Sequence, residues 1–144
     1  MREILFRGKT IKNGDWAEGD LVINRPSRTY RIFVDFANVR HGNFTDTGLH
    51  ECSGELYVVY EETLGQFTGL TDVTNKDIWE GDIIKNVDTE ELQVVFWNNE
   101  KAAWYCRYMG DANSIVSLHD SIGNLNEKIG NIHDNPELLT ISSY

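Results

Sequence analysis

Cysteine is nearly absent: Cys52 and Cys106 are the only two in 144 residues. Two thiols are too few for a disulfide framework, and a reduced, cytoplasmic setting is the expectation for such a chain. Long apolar runs are missing as well. The longest, Leu56-Tyr57-Val58-Val59-Tyr60, has the length of a strand and falls far short of the roughly 18 residues that a membrane span needs. Met1 to Arg7 lacks the apolar core of a secretory signal. Nowhere does a 3.6-residue apolar period persist for the roughly ten residues of an ordinary helix, which excludes a helix-rich fold.

Positive charge is scarce too. Thirteen Lys and Arg stand against 23 Asp and Glu, for a formal net charge of −10. Nucleic-acid backbones are held largely by basic side chains that release counterions, so nucleic acid is not an expected partner. The best basic cluster is Arg25, Arg28 and Arg31, with Lys9 and Lys12 before it. Its spacing reads as a solvated strand edge rather than a phosphate track. What the chain does have is 40% hydrophobic and 11% aromatic residues. A chain of this size buries roughly two-thirds of its unfolded surface, so it folds without a metal or disulfide.

Short alternating stretches separated by turn residues predict strands over residues 2–7, 16–23, 30–36, 56–60, 82–87, 92–97, 102–108, 115–118 and 128–132. Short helical turns are expected over 119–125 and 135–139, the latter with Asn135 as cap and Pro136 in first position. Residues 38–54 are polar and unpatterned, longer than an ordinary connection. The fold class is therefore mainly β: small antiparallel sheets with an SH3-like barrel in the C-terminal half and few helical turns. A single domain of residues 1–144 is expected, with an N-terminal lobe of about 1–62 and a barrel lobe of about 63–144.

Two stretches echo each other. Phe6-Arg7-Gly8-Lys9-Thr10 leads to Trp16-Ala17-Glu18-Gly19-Asp20, and Phe67-Thr68-Gly69-Leu70-Thr71 leads to Trp79-Glu80-Gly81-Asp82. In both, Phe-x-Gly-x-Thr precedes Trp and then Glu-Gly-Asp with two aliphatic residues behind it. Glu-Gly-Asp reads as a strand-entry device, with Gly freeing the backbone and Asp bonding local N–H groups. Two copies imply internal pseudo-symmetry, with the device at equivalent places.

The opening Arg2-Glu3-Ile4, Phe6-Arg7-Gly8-Lys9, the Gln66-Phe67-Thr68-Gly69 and Trp79-Glu80-Gly81-Asp82 blocks, Val95-Phe96-Trp97, and the close Gly130-Asn131-Ile132-His133-Asp134-Asn135-Pro136 occur in order from Arg2 to Leu139. Together they resemble the YopX family. Phe67, Gly69, Trp79, Gly81, Asp82, Gly130, Asn131 and Pro136 carry the resemblance. It implies a mostly β, self-associating protein of bacteriophages and prophages, and it brings no catalytic motif. The chain departs from the family pattern at Asn75-Lys76-Asp77, where Asn-Gly-Lys is usual, and residues 25–53 match no family block.

Other constellations were weighed for chemistry. His41, Asp46, His50, Glu51 and Cys52 lack the spacing of a zinc site. Asp72, Asn75 and Asp77 lack the glycine and terminal Glu of a calcium loop and read as turn chemistry. Cys106 lies in an aromatic strand and is expected to be buried and inert. His119-Asp120 and His133-Asp134 read as solvated loop pairs. No catalytic, cofactor-binding or metal-ligating residue is assigned, and no cofactor is expected. The leading expectation is a non-enzymatic phage or prophage protein working through protein contacts, including with itself, and with an unidentified host or phage protein. Two rivals are a nucleic-acid-associated β-barrel that presents Tyr57, Tyr60, Trp97 or Tyr105 to single strands, and an acidic protein that occupies a host DNA-binding protein.

Overall fold

The computed structural model describes residues 2–35 and 54–141. The chain divides into two compact units, residues 3–66 and 67–144, with Arg2 grouped with the second. The boundary falls four residues beyond the one expected from sequence.

The first unit is antiparallel. It contains β1 (Phe6–Lys9), β2 (Trp16–Asn24), β3 (Thr29–Asp35), β4 (Gly54–Val58) and the first residues of β5 (Gly65–Thr71). Its hydrogen-bonded order is β4-β3-β2-β1-β5. Alternation decides which side of this sheet is buried. Leu21, Ile32 and Tyr57 lie in one cross-strand row, and Ile32 has no solvent exposure. With Ala17, Val59, Tyr30 and Val34 they form the unit's apolar core. Each large side chain so buried contributes about 1.5–3 kcal/mol.

In the second unit the remainder of β5 pairs with β6 (Asp77–Trp79). A five-stranded sheet follows, in the order β10-β9-β8-β7-β11. Its members are β7 (Asp82–Asn86), β8 (Leu92–Asn98), β9 (Ala103–Tyr108), β10 (Asp111–Ser117) and β11 (Asn126–Asn131). The meander expected over 82–108 is present. Its turns are set by Asn86 and Asn98, whose side-chain oxygens each accept two backbone N–H groups further along the turn. Helix α1 (Leu118–Gly123) is capped by the Ser117 hydroxyl, which accepts from Asp120 N at 3.1 Å. Ile78, Ile84, Val95, Cys106 and Leu118 make the core, with Trp104, Val116 and Ile122 against it.

Three expectations change. The sheet over 82–131 is open, with β10 and β11 as its two edges, so its ladders do not close an SH3-like barrel. The mainly-β class itself holds. The two echoed stretches are not equivalent. Trp16 to Asp20 runs unbroken inside β2 with Phe6 opposite Gly19, whereas Phe67 sits opposite Trp79 and the chain then turns at Glu80 and Gly81 before β7. Lastly, Asn135 does not cap the C-terminal turn with its side chain. Its Oδ1 accepts from Asn131 N at 3.1 Å, and α2 begins only at Leu138. Among the described residues no helix is long and apolar enough to cross a membrane.

Gly19 shows why one echoed letter serves two ends. Its φ is not in the left-handed region, but a Cβ there would press on the Phe33 carbonyl across the β2–β3 ladder. Gly19→Ala should therefore destabilise the first unit by about 2–3 kcal/mol, read as a lower urea midpoint with a native-like circular dichroism baseline. An unchanged midpoint would show that the close approach has no energetic weight.

Candidate functional site

Two of the motif residues, Trp79 and Asp82, meet in a buried polar network of the second unit. Asp82 has no solvent exposure, yet it is a carboxylate. Its Oδ2 accepts from Trp79 N at 2.7 Å and lies 3.1 Å from Lys128 Nζ. Lys128 Nζ also donates to the Asp77 carbonyl at 3.3 Å, and Lys128 N donates to Asp72 Oδ2 at 2.8 Å. Asp72 is itself buried, and its Oδ1 accepts from Thr74 N, Thr74 Oγ1 and Lys76 N at 2.7–3.0 Å. One lysine of β11 thus ties the turn before β6 to the start of β7.

Gly81 makes the geometry possible. Its φ of 87° is left-handed, its N–H donates to the Val95 carbonyl, and its own carbonyl accepts from Ile132 N, both at 2.9 Å. Beside it, Phe67 and Trp79 pack with ring centroids 5.3 Å apart, and Trp79 is 2% exposed. At the far end of β11, Asn131 Oδ1 accepts from His133 N and Asp134 N, both at 2.9 Å, while its Nδ2 donates to Asp134 Oδ2. Gly130 lacks the Cβ that would collide with the Asn135 amide. Pro136 follows in the turn, its carbonyl accepting from Leu139 N at 3.1 Å. Gly69, also left-handed at φ 83°, bends β5 beside Arg2.

Other candidates disperse. Asp72 is committed to its turn, and Asn75 sits in that turn at φ 65°. Among the described residues no three His, Cys, Asp or Glu side chains converge as a metal cluster would. Cys106 is fully buried, and burial pushes its thiol up to about 12 despite a hydrogen bond with Ser121, so it is no nucleophile at neutral pH. His119 is exposed. Arg28 reaches Glu61 at 3.7 Å across exposed surface, a contact of little energetic weight. Tyr60 and Trp97 are exposed but lie in different units, and Tyr57 and Tyr105 are half-buried. His41, Asp46, His50, Glu51 and Cys52 lie outside the described residues.

Sequence reasoning passed over Lys128, for which it held no signal. It also passed over a surface in the first unit. Val22, Arg31 and Val58 form one cross-strand row, and Asp20, Phe33 and Leu56 the next, on the face of the sheet opposite Ile32. Val22, Leu56 and Val58 are 42%, 51% and 37% exposed. The clue was in Leu56-Tyr57-Val58-Val59, apolar on both parities, where a strand with one wet face alternates.

These features define a mainly-β protein in which three exposed apolar residues, Val22, Leu56 and Val58, share one sheet face of the first unit. The chain belongs to the YopX protein family, whose model matches residues 6–140. A comparison with curated protein sequences finds no match. Among solved structures it is similar to the crystal structure of protein EF1440 from Enterococcus faecalis, at 16% identity and a TM-score of 0.58 over 96% of this chain and 99% of that one. At that identity the likeness shows the fold.

The network makes two predictions. Lys128→Met removes the ammonium at 3.1 Å from the buried Asp82 carboxylate and should cost about 3 kcal/mol in chemical denaturation, whereas Asp82→Asn combined with Lys128→Met should recover part of that loss. A double-variant loss equal to the sum of the losses in Lys128→Met and Asp82→Asn alone would show that the pair is not coupled. For Asp72, burial raises the carboxyl, but the bonds from Lys128, Lys76 and Thr74 outweigh it and hold the group below its ordinary 3.8. A lowered folded-state value stabilises above the unfolded one and is lost on acidification. The stability gap between wild type and Asp72→Asn should stay constant above the ordinary carboxyl range and narrow as pH falls below it. A gap that widens in acid would reverse the assignment.

Proposed function

We propose that this is a non-enzymatic, phage- or prophage-encoded protein of the bacterial cytoplasm that works by protein–protein contact, self-association included. The observation that carries the reading is the outer face of β2, β3 and β4, where Val22, Leu56 and Val58 stand exposed around the half-buried Phe33, with Arg31 and Asp20 in the same rows. Exposed apolar side chains grouped on a sheet face are a common mark of an interaction site. Among the described residues β4 is also the outermost strand of its sheet, and an outer strand offers backbone groups to a further strand. Two copies of β4 running antiparallel about a two-fold axis would extend the sheet and bring both apolar faces into one layer, a self-complementary arrangement typical of symmetric dimers. The chemistry-bearing side chains support the same reading from the other direction: Asp72, Asp82, Lys128 and Cys106 are spent on the interior.

Light scattering and sedimentation velocity across micromolar to millimolar concentration test this. Wild type should form a defined oligomer, and Leu56→Glu, which places a carboxylate on the exposed face without touching the core, should shift it to monomer with a native-like circular dichroism spectrum. A wild type that stays monomeric at every concentration would refute self-association.

A further inference from the structure

A second surface lies in the second unit, at the end of the five-stranded sheet where β8 begins and β9 ends. An open groove of about 780 Å³ runs there between the sheet and the C-terminal turn. Its floor is apolar and half-buried: Leu92, Tyr108, Ile129 and Leu138. Its rim is acidic. Glu90 is tied to Lys85 at 3.5 Å, but Glu91 and Asp111 are exposed and, among the described residues, take part in no ion pair. The Ser114 hydroxyl and Asn113 N–H hold the Asp111 carboxyl below its ordinary value, so it stays charged throughout the neutral range.

We propose that this groove docks a basic, apolar segment of a partner protein, with its aliphatic side chains on the floor and its Arg or Lys groups on Glu91 and Asp111. Three features select that occupant. The groove is open to solvent, whereas a small-molecule site encloses most of its ligand, so a chain segment fits better. The unpaired carboxylates at the rim favour a cation, and Arg adjoining an apolar residue satisfies both rim and floor at once. A second copy of this chain, itself at −10, would bring acids to these acids. The proposal rests on the protein-contact reading but not on self-association, which uses the other unit.

The test is fluorescence anisotropy with a labelled peptide of about twelve residues alternating Arg and Leu, against an Arg–Ser peptide of equal charge and a Glu–Leu peptide, at about 0.15 M salt. Three proteins are compared: wild type, Glu91→Lys, and Glu100→Lys. The last changes net charge equally but lies on the exposed β8–β9 turn away from the groove. Wild type and Glu100→Lys should bind the Arg–Leu peptide alike, Glu91→Lys should bind it at least about tenfold more weakly, and the Arg–Ser peptide should lose a similar factor on wild type. Equal losses in the two charge variants would reduce the effect to bulk acidity and overturn the proposal. So would equal binding of Arg–Leu and Arg–Ser, or no binding at all. A change in solution mass on Glu91→Lys without peptide binding would assign the groove to a second copy instead. A wild type that is monomeric yet binds Arg–Leu would sink self-association and leave the groove standing.

Discussion

Lys128 holds its ammonium 3.1 Å from a carboxylate with no solvent exposure, and much of the second unit is arranged so that this pair can exist. A buried charge is costly unless every group around it is satisfied. Here the carboxylate also accepts Trp79 N, the ammonium also reaches the Asp77 carbonyl, and the lysine's own N–H is taken by Asp72. The one lysine thereby joins the turn before β6 and the start of β7 to β11. The register irregularity between Lys128 and Gly130 in the β7–β11 ladder falls beside this anchor.

The echoed stretches show how far letters can travel without their geometry. Gly19 and Gly81 each stand between Glu and Asp, yet one is extended and yields space to a neighbouring carbonyl while the other is left-handed and turns the chain. Their aspartates part in the same way: Asp20 is exposed and Asp82 is fully buried. Trp16 lies under Arg7 at 4.4 Å from its ring centre, a cation over a π face, while Trp79 packs on Phe67. A motif fixes which residues recur; the partners across the sheet fix what they do.

Strands with one buried face were legible because alternation encodes them directly, and β2, β3, β7, β8 and β9 fall within two residues of their expected bounds. The strands β5 and β6 were read as motif and turn. Gly65, Gly69 and the polar residues from Thr71 to Asp77 break the alternation, and Phe67 pairs with Trp79, twelve positions on, across that interruption. β10 was shortened for a similar reason, since its ladder shifts register between Asp111 and Ile115. Barrel closure was not legible at all: it depends on whether edge strands meet, and helix α1 connects the two edges here instead. Lys128 had no chance of being found, because one lysine in a strand is indistinguishable by sequence from a solvated one.

The division between interior and surface carries the functional argument. Asp72, Asp82 and Cys106 are buried in the second unit, where each takes hydrogen bonds from its neighbours. Asn126 and Ser121 illustrate this, passing hydrogen bonds of 2.6 Å inward to Gln93 with all three side chains buried. Residues that look like ordinary strand filler, Val22, Leu56, Val58 and Leu92, remain at least partly exposed or line open ground. The proposed protein-contact role is consistent with this division, because apolar groups left at the surface are a common mark of interaction sites. On that proposal apolar contact would supply the affinity, and the surplus of 23 acidic over 13 basic residues would favour partners that bring positive charge.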